Sequence, residues 1–245
     1  MPRSNWFRGY VQAPPGVPRL LCLPHAGGSA SFYYPLAQRL GAETETLAVQ
    51  YPGRQDRRSE EPVAEIGRLA QHVVDALSGE DTRPLALFGH SMGAVVAFET
   101  ALRLSAAGRP PAVLIVSGRR APSRQVPETV HRRDDAGVLL ELRRLAGTDA
   151  RVLGDPELLA MILPAIRADY RALAGYPASQ AVVDCPVVAL TGDRDPVTPV
   201  EDALAWREHT TAEFASAVFP GGHFYLAEHQ DEVVRLIRDA VRSRV

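Results

Sequence analysis

Ser91 sits at the centre of Gly89-His90-Ser91-Met92-Gly93. The apolar run Pro84-Leu85-Ala86-Leu87-Phe88 precedes it, and a helix-like stretch, Ala94 to Leu104, follows. A serine in G-x-S-x-G between a strand and a helix is a nucleophile elbow. The turn is so tight that the residues two before and two after the serine must lack side-chain bulk, hence the two glycines. Its geometry pushes the Ser91 hydroxyl out at the top of a sheet. The Met92 N–H and the start of the following helix point at the same space, where they stabilise a developing oxyanion. The chemistry implied is acyl transfer through a serine ester.

A serine hydroxyl is a poor nucleophile without a base, and in such a fold the partners follow in the order serine, acid, histidine. Of seven histidines, His223 lies in Pro220-Gly221-Gly222-His223-Phe224, after the last strand-like run and before the closing helix. Two glycines let that loop approach the elbow. His229 is the nearest competitor but falls within or at the start of the closing helix. His25 reads as a loop-packing residue and His90 as a support of the elbow turn; His72, His131 and His209 carry no pattern.

The acid belongs on the loop after the penultimate strand, Thr191-Gly192-Asp193-Arg194-Asp195-Pro196. Asp193 directly follows Gly192 and is placed to cap its own turn. Asp195 lies further out, before a proline that favours extended backbone, and is the better orienter of His223. One strand earlier, Ser117-Gly118-Arg119-Arg120-Ala121 offers no carboxylate before Glu128. A second oxyanion donor comes from Pro24-His25-Ala26-Gly27-Gly28, where glycines let amides face a ligand. The same glycines also suit a plain strand-to-helix turn. Ala26 and Met92 N–H are the expected pair. No H-E-x-x-H or paired cysteines are present, so neither a metal nor a cofactor is expected.

These residues need a scaffold that brings distant loops to one edge. Arg19 to Leu23, Glu45 to Tyr51, Pro84 to Phe88, Ala112 to Val116, Cys185 to Leu190 and Ala215 to Phe219 read as strands. Phe32 to Leu40, Val63 to Leu77, Met92 to Ala107 and His229 to Val241 read as helices, with Ser29 or Ser31 available to cap the first. Short apolar strands separated by helices imply an α/β fold: a mostly parallel sheet with helices on both faces. Between Ser117 and Cys185 no strand is expected. Asp134 to Leu145 and Pro156 to Leu173 read as helices there, the second interrupted at Pro164, forming a helical lid insertion at about 122–180. The whole chain, 1–245, reads as a single domain.

Composition narrows the function classes. The 245 residues carry 27 basic and 29 acidic side chains, net charge −2, which points to neither nucleic acid nor a membrane surface. Every basic residue is arginine, so lysine Schiff-base chemistry is excluded. Cys22 and Cys185 lie far apart in apolar runs and read as reduced core thiols. The N-terminus lacks the apolar region of a signal peptide, and no run reaches the ~18 apolar residues of a membrane span. A cytoplasmic protein is the default expectation.

Five segments in order carry a resemblance. They are Pro24-His25-Ala26-Gly27-Gly28-Ser29-Ala30, Gln50-Tyr51-Pro52-Gly53-Arg54-Gln55-Asp56-Arg57, Gly89-His90-Ser91-Met92-Gly93-Ala94, Gly192-Asp193-Arg194-Asp195-Pro196 and Gly221-Gly222-His223-Phe224. Together they resemble type II thioesterases of polyketide and nonribosomal-peptide assembly lines, from roughly residue 18 to the end. The resemblance implies an α/β-hydrolase fold and hydrolysis of acyl groups from the phosphopantetheine thiols of acyl or peptidyl carrier proteins, for editing or release. It implies Ser91 as nucleophile, His223 as base and Asp195 as orienter. The extent of the chain around these segments reads as a free-standing enzyme, with a terminal domain of a megasynthase as the alternative. A general serine esterase or acyltransferase would use the same triad. A non-catalytic binding protein on this fold would normally lack a triad member, and none is missing.

Two expectations concern substrate. Leu139, Leu140, Leu145, Leu158, Leu159, Met161 and Ile162 recur at helical spacing, either packing the lid onto the body or lining an acyl channel. Arg119, Arg120, Arg124, Arg132 and Arg133 form a local basic excess before the lid. That excess reads as a solvated loop or, through the resemblance, as a docking face for an acidic carrier protein.

Overall fold

Strand register explains how six loops meet at one edge. In the computed structural model, residues 5–77, 81–145, 147 and 153–244 are described. The strands are β1 (Phe7–Gly9), β2 (Arg19–Leu23), β3 (Glu45–Val49), β4 (Leu85–His90), β5 (Val113–Ser117), β6 (Val187–Gly192) and β7 (Phe214–Phe219). They form one sheet in the order β1-β3-β2-β4-β5-β6-β7. Every pairing is parallel except β1 with β3. Because β3 and β4 lie on opposite sides of β2, the strand order reverses there, and the crevice above such a point is where open α/β sheets bind ligands.

Alternation within the strands assigns the two faces. Leu21, Leu23, Leu87, Leu114 and Val116 pack with α2 (Ile66–Ala76) and α3 (Met92–Ala106). Leu20, Cys22, Ala86, Phe88, Val113 and Ile115 pack with α1 (Tyr34–Leu40) and the closing helices α7 (Tyr225–Glu228) and α8 (Gln230–Arg242). Between β5 and β6 lie α4 (Asp135–Leu145) and α5 (Pro156–Ala174); α6 (Val200–Leu204) follows β6. Cys22 and Cys185 are both free and buried, and burial pushes the Cys185 thiol up to about 12.

The structure differs from the sequence reading at several elements. The first helix begins as a 3-10 turn, Ala30–Tyr33, and becomes α1 at Tyr34, with Pro35 in the first turn. Neither serine caps it; Ser29 and Ser31 hydroxyls lie 3.1 Å from each other. α5 is not interrupted at Pro164 but runs through it. The proline removes one helical hydrogen bond, while Leu163, Ala165 and Ile166 bury that stretch. Asp155 caps α5 by accepting from Glu157 and Leu158 N–H. The three-residue β1 had no apolar alternation to betray it, and α6 was not anticipated.

Candidate active site

The elbow is built as its glycines require. Ser91 sits at φ 55°, ψ −117°, a left-handed conformation that costs on the order of 1–3 kcal/mol for a side-chain-bearing residue. A Cβ on Gly89 would lie 2.1 Å from Gly93 O, and one on Gly93 would lie 1.9 Å from Leu23 O. The second contact shows why β2 matters: Leu23 and Gly89 are partners in the ladder, so the elbow helix begins directly over the loop after β2. Ser91 N–H donates to Ser117 O at 2.8 Å, tying the elbow to β5 on the other side.

His223 and Asp195 arrive from the adjacent strands β6 and β7, whose ends pair Gly192 with Phe219. His223 Nδ1 is 2.7 Å from Asp195 Oδ2. Asp195 Oδ1 accepts from Val197 N–H at 2.9 Å, which fixes the carboxylate plane. Asp193 has a different task from the one its turn position suggested. Its Oδ1 accepts from Gly221 N–H at 2.8 Å, in the histidine loop, so it ties the two loops together without touching His223. His229 likewise stays out of the site, bonded to Pro220 O and Glu232.

Ser91, His223 and Ala26 line one pocket with Leu142, Leu145 and Tyr170. Its volume is about 20 Å³, roughly the space of one water. Met92 is fully buried at the first turn of α3, where helix N–H groups have no intrahelical acceptor. In the loop after β2, Gly27 N–H donates to Asp169 and Gly28 N–H to His25 O. Ala26 N–H has no acceptor among the described residues. A larger cleft of about 600 Å³ adjoins the pocket, sharing His25 and Gly147; Arg54, Arg58, Met161 and Ile162 line it.

Three histidine rings adjoin through the site, tilted or edge-on to one another. His90 lies 5.0 Å from His223 and 6.0 Å from His25, centroid to centroid. Burial, then the neighbouring His223 and Arg54, lowers His25 to about 3. Burial, then His223 and His25, holds His90 well below its ordinary value. Both are therefore neutral at pH 7. His90 Nδ1 lies 2.9 Å from Ser117 Oγ, which is 2.6 Å from Tyr225 OH, and this chain braces the elbow. His209 is buried and bonded to Ala181 O and Ser123, His72 stacks on Trp6, and His131 belongs to a 3-10 turn; none reaches the site.

The lid residues divide. Leu145, Met161 and Ile162 line the pocket or cleft. Leu140 and Leu158 are exposed, and Leu139 and Leu159 pack against the core. Leu142 and Tyr170, which line the serine pocket, were missed. The arginine cluster is not a free basic face. Arg120 bonds Val197 O and pairs with Asp202, Arg124 pairs with Glu208, and Arg133 with Glu141. Arg119 bonds Gln125, and burial pushes its guanidinium down to about 10. Internal acids thus account for most of that basic excess. Asp169 was missed altogether, and the role of Arg54 within its quoted motif was not assigned.

A family model described as a thioesterase domain matches residues 18–241. A Streptomyces griseus protein named probable cadicidin biosynthesis thioesterase is 50% identical over 97% of this chain, which spans 66% of that protein's length. Thioesterase PikA5 of Streptomyces venezuelae is 48% identical, over 96% of this chain and 84% of its own. The solved structure of BorB, a type II thioesterase from the borrelidin biosynthetic cluster, superposes with a TM-score of 0.90 at 49% identity, covering 96% of this chain and 97% of that one. Among the described residues, no helix is long and apolar enough to cross a membrane.

Proposed function

The chain belongs to the thioesterase family, with the α/β-hydrolase fold and hydrolase class that go with it, and on that premise we propose that it hydrolyses acyl groups from the phosphopantetheine thiols of acyl or peptidyl carrier proteins. The reading is supported by a relative named for gramicidin S biosynthesis and by solved type II thioesterases from the borrelidin cluster and the yersiniabactin NRPS/PKS pathway. The observation that carries it is one pocket holding Ser91 on a strained elbow and His223 bonded to a buried Asp195.

In this reading the thioester carbonyl lies over Ser91. His223 takes the hydroxyl proton as Ser91 attacks, and Asp195 holds the imidazole in the tautomer that leaves Nε2 free to accept it. The oxyanion forms against Met92 and Ala26 N–H. The carrier's thiol leaves with the proton from His223. His223 then deprotonates water, which attacks the acyl-Ser91 ester and returns free serine and the carboxylic acid. The steps draw on the chain's own side chains and backbone N–H groups and on water; phosphopantetheine belongs to the substrate. The helical insertion acts as a lid, and the 600 Å³ cleft receives the pantetheine arm. In this reading the reaction runs in the cytoplasm, beside the carrier proteins.

The test is incubation with a panel of acylated carrier proteins, followed by intact mass. Loss of the acyl mass with retention of phosphopantetheine is the expected result. Rapid turnover of oxygen esters with no action on carrier thioesters would replace this reading with that of a general esterase.

A further inference from the structure

Asp169, on α5, is fully buried, yet no step of the proposed chemistry uses it. Its Oδ2 accepts from Gly27 N–H at 2.8 Å and from Arg54 Nη1 at 2.8 Å, and its Oδ1 from Arg54 Nη2 at 2.9 Å. Arg54, 8% exposed, also donates from Nη1 to Gly28 O at 3.0 Å and from Nε to Pro52 O at 3.3 Å. One turn earlier on α5, Ile166 lies 2.9 Å from where a Cβ of Gly27 would be, and Gly27 is at φ +74°. Two separated segments, α5 and the turn carrying Arg54, therefore converge on the loop just past Ala26.

The convergence has an energetic oddity. Removing an ion pair from water costs most of what the pair gains, so an apolar replacement of equal volume is often neutral or better for stability. The bidentate geometry instead supplies direction. Gly27 N–H belongs to the peptide that follows Ala26 and Gly28 O to the peptide two residues further on, so the pair pins the loop directly past the Ala26 donor. A preorganised donor must already face the place where charge will develop.

We infer that Arg54 and Asp169 are positioning residues that hold the oxyanion loop in its working conformation, so that the helical insertion helps to build the oxyanion hole as well as to cover it. The inference rests on the assignment of Ser91 as nucleophile and Ala26 as donor. Without Asp169, the Ala26–Gly27 peptide loses its anchor on α5. Movement of α5 away from the sheet removes the same anchor, which couples an open insertion to a slack hole.

The experiment compares wild-type protein, Arg54→Lys, Asp169→Asn and the double variant Arg54→Met/Asp169→Leu, which removes both charges at similar volume. An active-site phosphonate, titrated to its end point, counts competent sites. Then kcat and KM are measured on a short acyl-pantetheine thioester, and affinity on a pantetheine trifluoromethyl ketone, which forms a tetrahedral oxyanion on serine. Per titrated site, kcat should fall about 10- to 100-fold in every variant, KM should stay within about twofold in Asp169→Asn, which does not line the cleft, and ketone affinity should fall in step with kcat/KM. If Asp169→Asn does not fold, the double variant and Arg54→Lys carry the comparison. Any folded variant with unchanged kcat per site, or with lost turnover but wild-type ketone affinity, overturns the inference. Failure of wild-type Ser91 to take the phosphonate would instead remove the premise.

Discussion

His223 Nδ1 lies 2.7 Å from Asp195 Oδ2, and the two side chains keep only 1% and 0% of their exposure. A carboxylate in that position accepts the Nδ1 proton. An Asn amide turned toward the ring donates instead and leaves Nε2 protonated, unable to receive the serine proton. Asp195→Asn should therefore lower kcat by about three to four orders of magnitude with the fold intact. Asp193→Asn should turn over near the wild-type rate, because its oxygen can still accept from Gly221 N–H. Asp193→Ala should lose about 1 kcal/mol of stability. Steady-state kinetics beside urea unfolding separates the two aspartates. A dead but folded Asp193→Asn would overturn the assignment.

Ser91→Ala should fold normally and lose thioester hydrolysis by at least roughly three orders of magnitude, since triad members act as a unit. A serine-directed phosphonate should add one adduct to the wild-type protein, located by peptide mapping at Ser91, and none to the variant. Labelling at another serine would sink the nucleophile.

The elbow glycines make a stability prediction. A Cβ at Gly93 would meet the Leu23 carbonyl at 1.9 Å, and backbone there cannot yield without breaking the β2–β4 pairing. Gly93→Ala should cost at least about 3 kcal/mol. In a chain of this size that lowers the Tm by about 6 °C or more. Gly222→Ala is the control, since a Cβ there meets nothing within 4 Å. Equal melting temperatures for the two variants would contradict the steric argument.

What the sequence disclosed follows from what each signal encodes. The elbow, His223 and Asp195 were legible because their chemistry requires fixed residue types at strand ends, and strands announce themselves as short apolar runs. Asp169 was invisible for the opposite reason. It lies among the apolar residues of α5, 115 positions from Arg54, and nothing local says that an aspartate there points inward. The helices around it were legible by period. Their contacts were not, so Leu145 and Ile162 were named beside Leu140 and Leu158, which face solvent. A charge count along the chain leaves out Asp202, Glu208 and Glu141, which fold back onto Arg120, Arg124 and Arg133.

Neutral His25 and His90 tie stability to pH. In the unfolded chain each titrates near its ordinary value of 6.5, while in the folded chain His25 is lowered to about 3 and His90 well below 6.5. Between the two values the unfolded state binds more protons, so stability falls as pH drops below 6.5 and is unaffected above it. At pH 5 His25 should cost about 2 kcal/mol relative to pH 8, and His90 adds to the loss in the same direction. Urea unfolding across this range should show the loss, and His25→Gln should remove the His25 part of it. An unchanged pH slope in His25→Gln would mean that His25 charges without penalty in the fold.

Carrier docking is sought at the cleft rather than at the arginine cluster. Arg58 lines the 600 Å³ cleft and is exposed; its backbone N–H donates to Gln55 O, but its guanidinium has no hydrogen bond or ion pair among the described residues. Its neighbours are already matched: Arg54 with Asp169, and Arg57 with Glu60. A free guanidinium at the mouth of the channel suits the phosphodiester that links pantetheine to its carrier, since a phosphate accepts from its fork of donors. Exposure keeps the gain small and screened by salt. Arg58→Glu should therefore raise KM about 3- to 10-fold for an acyl-carrier protein and for acyl-phosphopantetheine, with kcat little changed. Acyl-pantetheine, which lacks the phosphate, should be hydrolysed as by wild type. Added salt should weaken the first two reactions in wild type and have less effect in the variant. An effect confined to the carrier would assign Arg58 to the protein surface rather than the phosphate. An equal effect on all three substrates would show that the substitution disturbs the cleft itself, and the phosphate contact would have to be abandoned.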